Sequence, residues 1–388
     1  MSENDTNRPV AALPTTTCPV CGRTVPQEEF CGACGTHLVS RSAGRHSAFT
    51  ADPGEHVFQL SVVSTLFLHL PHRRAAPFRL VLILTAGVLL GLGVLRLTGP
   101  SIAAAAVAVP ILYLLYLWEV EVYEDEPVVV IGATFVLGLL LGIPWAIVTG
   151  PIVTATLLQN VTVGAPLGKA LLVGLLFPLV AQLVMLVGPL LLYFFRPRYD
   201  EALDGFTFGA ASALGFTLAT TVVNLWPELR LGLVSDAAVV PNTLAVLERG
   251  LLNPFLNAST TGLIAGALWL RRGKVRSLAA HGWTTSLWVS ILIPVVVWSI
   301  LGLVNISVLT TALSAAAYAV LAVAMLLWVR VAVHHMLLAE AVDVAIGPPM
   351  PCFHCHRLVP RMAFCPHCGI ATRATPKTGV GRAGRAFR

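Results

Sequence analysis

Pro127-Val-Val-Val-Ile-Gly-Ala-Thr-Phe-Val-Leu-Gly-Leu-Leu-Leu-Gly-Ile-Pro-Trp-Ala-Ile-Val-Thr149 carries no charged side chain and is long enough to cross a lipid bilayer as one helix. About 20 apolar residues suffice, because a helix rises about 1.5 Å per residue and the hydrocarbon core is about 30 Å thick. Seven more runs of the same character lie near 78–98, 101–118, 169–195, 205–226, 250–270, 282–304 and 308–329. Of the 388 residues 56% are hydrophobic and 11% charged, whereas soluble domains carry about 25% charged residues. No soluble core of this size hides that much apolar surface. The expected fold is therefore an all-α polytopic membrane protein of about eight transmembrane helices. The fourth run, 169–195, is long enough to tilt or to kink at Pro178 or Pro189.

Orientation follows from the placement of Lys and Arg. With a cytoplasmic amino terminus and an even number of crossings, that side collects Arg73, Arg74, Arg79, Arg196, Arg198, Arg271, Arg272, Lys274, Arg276, Arg330 and the basic tail. The opposite side keeps Arg96, Lys169, Arg230 and Arg249. Both termini are thus expected in the cytoplasm of a multi-pass cell-membrane protein, with Glu119 to Glu126 as an acidic cytoplasmic loop. The first 77 residues are polar and contain no signal-peptide core, so the first apolar run is expected to direct insertion. The net charge of +6 reads as positive-inside bias plus a tail resting on anionic lipid, and no nucleic-acid partner is predicted.

All eight cysteines lie outside the apolar runs. Cys18-Pro-Val-Cys21 is followed after nine residues by Cys31-Gly-Ala-Cys34, and Cys352-Phe-His-Cys355 after nine residues by Cys365-Pro-His-Cys368. Two CxxC pairs present four thiolates to a closed tetrahedral zinc ion. Gly after the second cysteine of three pairs permits the backbone angle that such a turn needs. Disulfides are the competing reading, but the topology places both segments in the reducing cytoplasm. Both sets resemble zinc ribbons, and two structural zinc ions are expected. His37, His354, His356 and His367 read as exposed loop residues beside shells that four cysteines already complete.

The domain order predicted is an N-terminal ribbon (1–40), a linker (41–77), the transmembrane domain (78–329), a cytoplasmic helical extension (330–346), a C-terminal ribbon (347–370) and a basic tail (371–388). Alternating residues from Val57 to Arg74 suggest an interfacial segment.

Ionisable side chains inside a bilayer are costly and mark function. Here the later crossings contain mainly neutral polar groups: Gln182, Asn224, Asn253 and Asn257. This scarcity argues against proton-coupled transport and acid-driven intramembrane chemistry. Gly138/Gly142, Gly205/Gly209 and Gly262/Gly266 mark close helix packing, and Asp200, Glu201 and Asp204 read as helix-start residues.

Several blocks resemble the PrsW family of polytopic intramembrane endopeptidases. Leu117-Trp-Glu-Val-Glu-Val-Tyr-Glu-Asp-Glu-Pro127 resembles its D-x-x-EP entrance. Phe195-Arg-Pro-Arg-Tyr-Asp-Glu-Ala-Leu-Asp-Gly-Phe-Thr-Phe-Gly-Ala-Ala-Ser-Ala-Leu-Gly-Phe216 follows its DEPxDGxxYGAAxGLGF block. Arg249, Pro254 and the Gly262 helix match a later block, and Ala280-His281-Gly-Trp283 its HGLW. The resemblance spans roughly 105–300 and implies a helical membrane fold with an EExxK pair, a further glutamate and two histidines. The pair would fall on Ala181-Gln182-Leu183-Val184-Met185, the further glutamate at about Thr220, and the first histidine at about Asn257; only His281 is retained. Peptide hydrolysis needs a group that activates water and a metal or acid that polarises the carbonyl, which Gln, Thr and Asn do not supply. The sequence is read as a non-catalytic member, a scaffold binding a membrane or cytoplasmic protein partner. The alternative is an active endopeptidase of this type.

Overall fold

A computed structural model of the chain describes residues 14–19, 22–38, 76–95, 97–120, 128–162, 166–196, 199, 202–231, 244–272, 284, 286–306, 311–341, 346–352, 355–370 and 372. Most of the 41–77 linker, the 371–388 tail, the loop at 232–243, Cys21, Asp200, Glu201, His281 and His354 lie outside the described residues. Among the described residues the elements of the membrane part are helices: α1 (Ala76–Val94), α2 (Thr98–Val120), α3 (Val128–Thr162), α4 (Leu167–Leu171), α5 (Phe177–Met185), α6 (Val187–Phe195), α7 (Ala202–Leu231), α8 (Asn253–Arg272), α9 (Leu287–Ile306) and α10 (Thr311–Ala341). Small hairpins flank it, β1 (Thr15–Thr17) with β2 (Thr24–Pro26) and β3 (Pro349–Pro351) with β4 (Leu358–Pro360), each antiparallel.

Among the described residues each of the eight apolar runs overlaps helix. Among the described residues five stretches are long and apolar enough to cross a membrane: Val129–Gln159, Leu167–Phe195, Ala202–Pro227, Leu287–Ile306 and Ala312–Val333. The expected number of eight is therefore not reached. In α8 the reason is physical: Asn257, Ser259, Thr260 and Thr261 are buried, and a helix sheathed by protein need not be apolar all round.

The Ala202–Pro227 span is the axis of the bundle, 67% buried where the other four are 22–33% buried. Its small residues allow this. A Cβ on Gly215 would lie 2.0 Å from the Phe135 carbonyl oxygen, and one on Gly138 would lie 2.0 Å from the Ser212 carbonyl oxygen. The α3 and α7 backbones therefore touch, as small residues at the contact permit. On the other side Tyr193 packs edge-on against Trp269 and Tyr199 edge-on against Phe208 around the α7–α8 contact, and the Trp269 indole donates to the Tyr199 carbonyl at 3.1 Å.

Prolines shape the fourth run, which is interrupted at both positions expected to bend it. Pro178 lacks an N–H for the Gly174 carbonyl, and its ring crowds that oxygen. The helix widens to a π-turn over Leu172–Leu176 just ahead of it. Pro254 stands in the same relation to the π-turn at Leu247–Leu252. Pro189 likewise deprives the Met185 carbonyl of its intrahelical partner, and α5 and α6 separate at Leu186. The orphaned carbonyl accepts from the Ser212 hydroxyl of α7 at 2.7 Å.

Candidate metal centres and an intramembrane polar cluster

Each hairpin gathers its cysteines by the same backbone device. The amide after the second cysteine of each pair donates to the carbonyl of the first: Gly22 to Cys18, Gly35 to Cys31, His356 to Cys352 and Gly369 to Cys365, at 2.8–2.9 Å. This closes a one-turn knuckle that ends in the left-handed region, with φ of 71°, 72°, 59° and 72° respectively. Glycine accepts that angle without cost; His356 adopts it despite its side chain. The sequence reading, which took His356 as an ordinary loop residue, missed this role, although its position after Cys355 is the signal.

The sulfurs converge. Cys352, Cys355, Cys365 and Cys368 place their Sγ atoms within 4.8 Å of one another, as do Cys18, Cys31 and Cys34. The pairs Cys18–Cys34 and Cys352–Cys368 lie at 3.7 Å and Cys355–Cys365 at 3.9 Å, far beyond the roughly 2 Å of a disulfide. Four sulfurs about 2.3 Å from one tetrahedral zinc ion stand about 3.8 Å apart, so the geometry fits a metal. Without a cation Cys365 and Cys368 hold their protons: the hydrogen bond with Cys352 pushes Cys365 up to about 11 and raises Cys368 as well. A bound cation reverses that preference, because the thiolate is the ligand.

The two hairpins also touch. The Phe30 amide donates to the Pro366 carbonyl at 2.8 Å and the Phe364 amide to the Gly32 carbonyl at 2.9 Å. Met362 is buried in one apolar cluster with Cys18, Val25, Cys31, Ala33 and Cys34.

Inside the helical domain a second convergence appears. Gln182 on α5 is 4% exposed and Asn257 on α8 is 8% exposed. The Gln182 amide donates to the Asn257 side-chain oxygen at 3.2 Å, and the Asn257 amide donates to the Thr217 hydroxyl at 2.9 Å. Thr260 and Thr261 donate to the Gln182 oxygen at 3.3 Å and 3.1 Å, and the Trp298 indole donates to the Thr260 hydroxyl at 3.4 Å. The structure thus joins Gln182 and Asn257, positions widely separated in sequence. Thr220 does not enter this set; its hydroxyl turns back to the Thr217 carbonyl at 3.0 Å. Thr217, one turn earlier on α7, supplies the hydroxyl instead. Asn224 lies exposed beside Gly150, away from the cluster, and Asp204 is buried in the first turn of α7.

Every atom in the cluster is a neutral amide, hydroxyl or indole engaged with another. Among the described residues, the groups of three or more His, Cys, Asp or Glu close enough to share an ion are the two cysteine sets. Among the described residues no carboxylate or imidazole ligands of the sort a catalytic metal requires are gathered around Gln182.

A family model described as "PrsW family intramembrane metalloprotease" matches residues 126–332, just over half of the chain. No curated protein and no solved structure matches. The match covers α3 to the greater part of α10 and the Gln182–Asn257–Thr217 cluster, and excludes both cysteine hairpins.

Proposed function

The chain belongs to the PrsW family of intramembrane metalloproteases, and from that premise we propose that it keeps the family's membrane scaffold without its hydrolytic chemistry. It is a multi-pass membrane protein that binds a membrane helix or a protein partner, with two metal-stapled ribbons on its cytoplasmic face. The single observation that supports this is the buried set formed by Gln182, Asn257 and Thr217. Resemblance to the family places acids and a histidine at or near these positions. A neutral amide or hydroxyl neither activates water nor carries the charge that holds a catalytic metal. The described residues of this cluster do not fit the metal that the family description implies.

The same set does other work. Three helices, α5, α7 and α8, are joined where an unpaired polar group would be costly in lipid. Interhelical hydrogen bonds of this kind are worth on average about 0.6 kcal/mol each and at most about 1.7. The cluster thereby serves as a structural fastening. Family membership favours a second reading, an active endopeptidase acting through other residues.

Cleavage of a membrane-spanning reporter by the purified full-length chain decides between them. The expected result is no cleavage above the rate of a Gln182→Ala, Asn257→Ala variant. Wild-type cleavage that disappears on substituting Asn257 or His281, with the fold intact, restores the peptidase.

A further inference from the structure

Each cysteine hairpin is too small for an apolar core of its own, and the contact between them is built from matching positions. Phe30 and Phe364 each precede the third cysteine of their set, and Gly32 and Pro366 each follow it, so the two inter-hairpin hydrogen bonds repeat one another about an approximate two-fold. The aromatic rings are exchanged in the same manner. A Cβ on Gly35 would lie 2.9 Å from the Phe364 ring, and one on Gly369 would lie 2.6 Å from the Phe30 ring. These are the glycines whose positive φ closes a metal knuckle. Each knuckle is thus at once a metal turn and the seat of the other hairpin's phenylalanine.

We propose that the two hairpins are one bipartite metal module, in which binding of an ion at either four-cysteine site favours binding at the other. The proposal rests on the reading that both sites hold metal. Metal binding organises a ribbon that is otherwise unfolded, and the organised ribbon presents the surface that completes its partner. Phe364 and Met362, at 1% and 4% exposure, are covered only when the N-terminal hairpin is formed around them. Coupling between sites follows, and it is reciprocal.

The pairing is specific for unlike ribbons. Met362 fits against Gly32, where a Cβ would lie 2.3 Å from its sulfur. Pro366 holds the equivalent place in the C-terminal ribbon, so two C-terminal ribbons would clash there. Glu28 holds the place of Met362 in the N-terminal ribbon, and it faces His367 at 3.9 Å. Two N-terminal ribbons would set that acid against an empty glycine. Rejection of like pairs is how specificity is built. Hairpins in contact within one chain also lie on the same side of the bilayer, so the helices between them cross an even number of times. The five candidate spans are odd and the eight apolar runs are even.

The test uses full-length protein in lipid nanodiscs with zinc as the probe. Zinc content of the wild type is measured first, and then the affinity of the N-terminal site, by competition with a chromophoric chelator, in a Cys365→Ser, Cys368→Ser variant. The expected result is about two ions in the wild type and a fall in N-terminal affinity within the roughly 5- to 150-fold range typical of coupled sites. The reciprocal Cys18→Ser, Cys34→Ser variant weakens the C-terminal site by the same factor. Gly32→Glu, which retains all eight cysteines, binds both ions but abolishes the dependence of one site on the other. Two ions in the wild type with an N-terminal affinity indifferent to the C-terminal ligands overturns the coupling while leaving the metal reading intact. Absence of zinc from the wild type overturns both. A dependence that vanishes on dilution overturns pairing within one chain.

Discussion

Removing Gln182 tests whether the intramembrane cluster is a fastening or a reaction centre. The side chain is 4% exposed, donates to Asn257 and accepts from Thr260 and Thr261. Gln182→Ala does not cost three equal bonds. The Thr260 hydroxyl also reaches the Leu256 carbonyl at 2.8 Å and the Asn257 carbonyl at 3.2 Å, so it keeps a partner. Thr261 retains only a long contact with the Met185 sulfur at 3.9 Å, and the Asn257 side-chain oxygen loses its donor. Two bonds are therefore lost in effect, about 1–3 kcal/mol at the values measured for interhelical bonds in membranes. Reversible unfolding in mixed detergent micelles, followed by tryptophan fluorescence, measures that cost. The double-mutant cycle with Asn257→Ala isolates the shared bond and should return a coupling of about 0.6–1.7 kcal/mol. The Thr217→Val, Gln182→Ala pair should couple more weakly, because Asn257 stands between the two side chains. A Gln182–Asn257 coupling indistinguishable from zero refutes the arrangement. A Gln182→Ala protein of wild-type stability that has lost a measurable activity refutes the structural role.

Three further outcomes are expected. Gly215→Ala places a methyl carbon against the Phe135 backbone, which cannot retreat as a flexible side chain would; the cost should be at least about 1–3 kcal/mol, read as a lowered thermal midpoint. Ser212→Ala leaves the Met185 carbonyl, already deprived by Pro189, without its donor; the loss should be about 0.6–1.7 kcal/mol, and Pro189→Ala in the same background should recover part of it by restoring the intrahelical N–H donor. For topology, a cysteine placed at Asp236 should react with an impermeant thiol reagent in intact cells, while the ribbon cysteines should not; resistance at Asp236 counts against cytoplasmic termini.

Hydropathy and cysteine spacing were enough to place this chain in a bilayer and to mark two cysteine hairpins able to hold metal, because both are local properties. A run such as 127–149 must bury its backbone polar groups in helix wherever it meets lipid. A CxxC knuckle closes within a single turn whatever surrounds it. Pro178 and Pro189 were likewise legible as breaks, since the missing N–H is written in the residue itself. Other features belong to tertiary structure alone. That Thr217 rather than Thr220 faces Asn257 depends on the rotation of α7, and threonines one turn apart look equivalent until a neighbouring helix chooses between them. That Ser212 answers the carbonyl freed by Pro189 depends on how close α7 can approach, which Gly138 and Gly215 decide through contacts with other helices. The joining of the two hairpins lay furthest from view. Each carries its own complete set of four cysteines, and nothing local to either states that Phe30 and Phe364 are seated on the glycines of the opposite knuckle. Apolar exposure and ligand number are written residue by residue; mutual burial exists only once both ends of the chain are folded and brought together.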